Sequence, residues 1–142
     1  MSSVTPRPLP NYAETLKSLI KMTEAFVANV YNDSGGVPTV GYGFALVVYD
    51  GVTWNLNAEN TLLPVALSAA QVSELNDAIK NLSKYGRKAE AKQENDKITS
   101  ALQSYSVTES QANSMLDANI EAAEIEVKRI LLKNSIPRIR PV

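Results

Sequence analysis

Neither cysteine nor histidine occurs among the 142 residues. The first absence excludes a disulfide framework and thiolate metal sites, and the second removes the commonest metal ligand and the usual base near neutral pH. Any catalysis must therefore run on carboxylates and hydroxyls, with no metal or cofactor expected. A charge imbalance is also missing: 14 Lys and Arg stand against 15 Asp and Glu, a net charge of -1. That balance removes the electrostatic signature of a nucleic-acid or anionic-membrane partner. The opening MSSVTPRPLPNYAETLKS has no continuous apolar core after a basic start, so it does not read as a secretory signal. No window reaches membrane-spanning length. Action outside the cytoplasm would need delivery by another component.

What is present suffices for one core. At 44% hydrophobic, the chain has the size and composition of one ordinary domain. Residues 1–10, with three prolines and two serines, read as an extended leader, and residues 11–142 as the domain. Asn11 and Glu14 fit a capping box, and Leu16, Leu19, Ile20, Phe26 and Val27 could fill one helical face. The segment FVANVY at 26–31 fits either a last helical turn or a short strand, and its β-branched and aromatic content favours the strand. The turn NDSGG follows, with Gly35 and Gly36 free to take positive φ, and residues 37–44 return as a second strand. In VVYDGVTW the pair Asp50-Gly51 suits a tight reversal. Residues 26–56 thus read as one small antiparallel sheet within an N-terminal helix-and-sheet lobe over 11–67.

Residues 68–106 read as linking helices. Ser68 and Gln71 make a second capping box, with Val72, Leu75, Ile79 and Leu82 marking a helix to about Tyr85, stopped by Gly86. The run RKAEAKQENDK at 87–97 reads as the solvated face of a helix with Ile98, Ala101 and Leu102 as its buried end, and suggests no site. Thr108 and Gln111 open a last helix, apolar in register from Ala112 to Leu131 and expected to reach about Lys133. Residues 107–142 are then the start of a helical lobe, ending in NSIPRIRPV, where Ile136, Ile139 and Val142 have no following chain to cover them.

One window could carry chemistry. In TEAFVANVYNDSGGVPTVGYGF, residues 23–44, Glu24 precedes an apolar segment, Asp33 sits in a glycine-rich turn, and Thr39 lies on the returning strand. Hydrolysis of a glycosidic bond needs one carboxylic acid to protonate the leaving oxygen and a second polar group to steady the attacking water. If Glu24 faced Phe26 and Val27, desolvation would raise its pKa and keep it protonated, while Asp33 in a polar turn would stay ionised. A reversal centred near Gly36 would put Thr39 across from Asp33, so that carboxylate and hydroxyl share one water. Fully extended, the segment from Glu24 to Asp33 would span about 30 Å, against the roughly 6.5 to 9.5 Å carboxyl spacing of an inverting pair. The chain must therefore bend just after Glu24.

The order Glu24, Asp33 within NDSGG, Thr39, then Val40-Gly41-Tyr42-Gly43, with Tyr31 two before the aspartate, resembles the active-site signature of the phage-type lysozymes, the muramidase endolysins. SELNDAIKN at 73–81 resembles the start of that family's long linking helix, and SVTESQANSMLDANIEAAEIEVKRIL the segment opening its helical lobe. The resemblance covers most of residues 20–132. It implies an α+β lysozyme-like fold acting on peptidoglycan glycan strands at the cell wall, in the periplasm or at the cell surface. By the match, Glu24 would be the general acid, and Asp33 and Thr39 would position the water; substrate-binding residues stay unassigned. Two departures stand out. Phe44 occupies the place where family members carry histidine, implying apolar packing instead of a polar tie. The chain also stops at Val142, where the family continues through several helices, implying a further C-terminal segment.

Other readings stay open beside this one: a lysozyme-like module that grips peptidoglycan or serves as a scaffold without cleaving it, or a toxin or effector delivered differently. Gly41 and Gly43 fit a close sugar approach or a bend equally well. Trp54, the only tryptophan, is expected to pack into the core rather than stack on a sugar. Lys128, Arg129, Lys133, Arg138 and Arg140 could favour an anionic cell wall, but read more simply as solvating a helix end and complementing its dipole.

Overall fold

In the computed structural model, which describes residues 10–135, helix α1 spans Pro10–Thr23. Of the expected leader over residues 1–10, residues 1–9 lie outside the described residues, as do Ile136, Arg138, Ile139, Arg140, Val142 and the side chains of Asn11 and Lys133, while Pro10 already belongs to α1, one residue earlier than the expected boundary, as the fixed φ of proline suits a first helical turn. Thr23 closes α1 by donating its hydroxyl to the carbonyls of Leu19 and Ile20, both at 3.1 Å. The Glu24 N–H adds a bond to Ile20 O at 2.6 Å, so Glu24 is the first residue beyond the helix. The chain re-enters at once as strand β1 (Val27–Asn32), which resolves FVANVY in favour of strand.

Strands β2 (Pro38–Gly41) and β3 (Phe44–Ala45) complete an antiparallel sheet of order β1-β2-β3. The single strand expected over 37–44 is broken because Gly41 and Gly43 take φ of +70° and +73°, left-handed values an extended strand cannot pass through. Strands β4 (Val47–Tyr49) and β5 (Trp54–Leu56) pair separately. Two sheets therefore stand where one was expected. Leu46, fully buried, links them: its N–H donates to Pro38 O at 2.8 Å and its carbonyl accepts from Asn57 N at 2.9 Å. The second hairpin turns one residue later than expected. Tyr49 pairs with Trp54 and the Asp50 N–H donates to Thr53 O at 3.1 Å, leaving Gly51 and Val52 at the tip. Asp50 anchors this turn from outside it, accepting from the N–H groups of Val52 and Thr53 at 2.8 Å each.

A short 3-10 helix (Ala58–Leu62) leads to α2 (Ala69–Tyr85), whose capping box is complete: Ser68 Oγ accepts from Gln71 N at 3.1 Å and Gln71 Oε1 from Ser68 N at 2.8 Å. Gly86 ends it. The charged run is shorter than the helix expected of it. Helix α3 (Ala89–Asp96) closes with Lys97 N–H on Glu94 O and Ile98 N–H on Asn95 O, and a separate turn, α4 (Ser100–Gln103), follows. Helix α5 (Glu109–Ser135) starts from the Thr108–Gln111 capping box and runs two residues past Lys133.

Among the described residues the architecture is thus mixed α+β, with five α-helices and two small antiparallel sheets. The core joins Leu75 and Leu82 of α2 to Val40, Leu46, Val47 and Trp54 from the sheets. Each fully buried leucine there is worth about 2–5 kcal/mol against truncation to alanine. Phe44 is buried beside Ala112, Met115 and Leu116 of α5, the apolar packing its sequence position implied. Lys17 of α1 bonds Asp117 of α5 at 2.7 Å. No helix among the described residues is long and apolar enough to cross a membrane.

Candidate functional site

Glu24, released from α1, lies over the turn joining β2 to β3: a Cβ built on Gly43 would stand 3.0 Å from the Glu24 carboxyl carbon. A side chain at position 43 would push the exposed Glu24 carboxyl aside by a few tenths of an ångström, and its φ of +73° favours glycine besides. The burial against Phe26 and Val27 that would have dried this carboxyl is not found. Glu24 is exposed, and Phe26 packs on the Tyr42 ring at 5.6 Å instead.

Asp33 is held on both oxygens. Oδ1 accepts from the N–H groups of Gly35 at 2.8 Å and Val37 at 2.9 Å, and Oδ2 accepts from Arg87 at 3.2 Å. The first two bonds are the local side-chain capture that Asp makes in turns. Of the two glycines expected to adopt positive φ, Gly36 alone does so, at +82°, and a Cβ on it would meet Lys92 N at 2.7 Å. The hairpin backbone therefore rests directly on α3. Its partner there is Asn95, only 2% exposed, which donates Nδ2 to Gly36 O at 2.6 Å while its Oδ1 accepts from Asn81 at 2.7 Å.

The reversal is centred on Gly35, not Gly36, because the Asp33 N–H closes on Val37 O at 3.0 Å. Thr39 consequently pairs with Tyr31 rather than standing across from Asp33. It is two residue pairs further down, past Asn32 and Pro38, and on the same face, since side chains two residues apart share a face. Its side chain is only 4% exposed, and its hydroxyl donates to Val37 O at 2.8 Å, leaving its lone pairs free to accept.

Glu24, Tyr31, Asp33 and Thr39 line one open cavity of about 1180 Å³. Burial pushes the Tyr31 phenol above its ordinary value, and the charges of Glu24 and then Asp33 push it further in the same direction. The candidate acid, the candidate water-holding aspartate and the threonine thus come from three elements to one groove. Among the described residues no group of three or more acidic side chains converges as a metal ion would need.

Arg87 and Asn95 fall within the charged run read as carrying no site, yet both brace the aspartate hairpin. Arg87 also lines the cavity. Nothing within a few residues of either marks it, because the hairpin partner of each lies more than fifty positions away. Comparison with known protein families, with curated proteins and with solved structures finds no match to this chain.

Proposed function

We propose that this chain is a glycoside hydrolase acting on the peptidoglycan glycan strand, a muramidase of lysozyme-like architecture. One observation carries the reading: Glu24, Asp33 and Thr39, separated along the chain, line a single open groove together with Tyr31. In this mechanism Glu24 enters the reaction protonated and gives its proton to the leaving glycosidic oxygen. Asp33, oriented through Oδ1 by two backbone N–H groups and through Oδ2 by Arg87, draws the proton from an attacking water on the opposite face of the sugar. Thr39 accepts a hydrogen bond from that water with its free lone pairs. Water attack opposite the departing oxygen gives inversion at the anomeric carbon.

The test is digestion of purified peptidoglycan by the chain and by Glu24→Gln, scored as reducing sugar ends. The expected result is release by the wild type and loss in the variant at unchanged circular dichroism. Equal release by both sinks the assignment. A second reading has its own support: both Asp33 oxygens and the Thr39 hydroxyl hydrogen are engaged within the protein, as in a purely structural turn. On that reading the groove grips glycan without cutting it, and the wild type sediments with insoluble peptidoglycan while releasing no ends.

A further inference from the structure

The hairpin of β4 and β5 forms one wall of the same groove, and it leaves two large apolar side chains exposed there beside the hydroxyl-bearing Thr53. Tyr49 is 54% exposed and Val52, at the tip, 84% exposed, and both line the cavity that holds Glu24 and Asp33. Large apolar groups left open beside a groove are the unusual observation, because burial would otherwise stabilise them. Trp54, cross-strand partner of Tyr49, is buried, and the two rings meet at 5.5 Å and 50°. The tryptophan therefore backs the tyrosine ring and holds its pose while the tyrosine stays accessible.

The tip is also rigid. Besides the two backbone N–H bonds it accepts, Asp50 takes a third bond from Asn55 Nδ2 at 2.9 Å through its other oxygen. The only carboxylate of the hairpin is thus turned into its own loop, and the hairpin residues that line the groove are all uncharged. A fixed, neutral, half-exposed aromatic with an aliphatic neighbour suits a neutral ring that has an apolar C–H face and a small methyl-bearing substituent.

We infer that Tyr49 and Val52 form a subsite for an N-acetylated hexosamine, the pyranose face lying on the Tyr49 ring and the acetamido methyl against Val52. The inference rests on the proposed glycan-strand reading for the identity of the polymer. Trp54 is the sole tryptophan and touches Tyr49, so its emission reports occupancy without any hydrolysis.

The experiment titrates N-acetylglucosamine tetramer into the full chain carrying Glu24→Gln, which keeps the ligand intact, and follows Trp54 fluorescence. A saturable change is expected. Adding Tyr49→Ala should weaken binding about three- to tenfold, and Tyr49→Phe should leave it within about twofold, since the ring and not the hydroxyl makes the contact. Val52→Ser gives a second, milder loss that does not disturb the Tyr49–Trp54 pair, and it carries the test if Tyr49→Ala unfolds. No saturable change, or binding equal to the parent in both Tyr49→Ala and Val52→Ser, overturns the subsite. Binding that depends on Tyr49, with no sugar ends released by the wild type, removes the hydrolytic reading and keeps the subsite. Hydrolysis with binding indifferent to Tyr49 and Val52 does the reverse.

Discussion

The guanidinium of Arg87 donates to Asp33 Oδ2 at 3.2 Å, joining the link between α2 and α3 to the first hairpin. The pair is largely exposed on the arginine side, and ion pairs of that kind contribute about 0–1 kcal/mol to stability. Its importance is directional: with Oδ1 held by two amides, the Arg87 contact fixes how the second oxygen faces the groove.

Under the hydrolytic reading, Arg87→Ala should lower the turnover of peptidoglycan about ten- to hundredfold through misorientation of Asp33. Thermal unfolding should shift little. Arg87→Lys should restore part of the rate, because a point charge still reaches the carboxylate but lacks the planar fork. Reducing-end release set against melting temperature separates the two effects. A fall in stability that accounts for the whole loss of rate would make Arg87 merely structural.

Gly43 offers a test of the Glu24 placement. Alanine there is strained by about 1–2 kcal/mol at a φ of +73°, and its Cβ also displaces the Glu24 carboxyl. Gly51→Ala is the control, with φ +98° and no atom within 4 Å of the added carbon. Both should lower stability in urea titrations, and only Gly43→Ala should depress glycan hydrolysis beyond what the stability loss explains. Equal activity in the two would show that Glu24 tolerates displacement.

Asn95→Ala should destabilise the fold by about 1–3 kcal/mol, because it leaves the Gly36 carbonyl without its donor in a buried place. The loss should be visible in equilibrium urea unfolding. Amide exchange should rise first at Gly35 and Val37, whose N–H groups close the Asp33 turn. Exchange unchanged at those two amides would mean the turn stands without α3.

Tyr31 makes the two carboxylates measurable. Its folded pKa is raised, by burial first and then by Glu24 and Asp33. The linked stability is therefore fully present below the unfolded value of about 10 and is lost as pH rises through the higher folded value. Neutralising both charges in Glu24→Gln with Asp33→Asn should move the Tyr31 titration part of the way down, since burial persists. Absorbance at alkaline pH, referenced to Tyr31→Phe, reads the shift. A titration unmoved by the double change would place the carboxylates too far from the phenol to share a site.

How much of this could be read from the residues depended on the distance over which each interaction closes. The Ser68 and Thr108 capping boxes complete themselves within three residues, so side-chain chemistry alone marks where α2 and α5 begin. The strand at FVANVY and the turn chemistry of Asp33 are local in the same sense. Register is not. Whether the first reversal centres on Gly35 or Gly36 turns on one backbone bond from Asp33 to Val37, and that choice moved Thr39 from Asp33 to Tyr31. The break at Gly41–Gly43 was hidden because an alternating apolar segment with glycines is compatible with either a strand or a bend. Arg87 and Asn95 sat in a run whose mixed charge fits an ordinary solvated helix. The exposure of Glu24 depended on where Phe26 found its aromatic partner.

Asp33 is roped to the α2–α3 pair, through Arg87 in the link between them and through Gly36 on Asn95, which Asn81 of α2 holds, whereas Glu24 hangs from α1, which is clasped to α5 by Lys17 and Asp117. The gap between the two acids is therefore a property of how two helix pairs are seated against each other, more than of the short stretch of chain joining them. A substitution far from either acid, at the seat of one pair, would retune that gap as surely as one beside it.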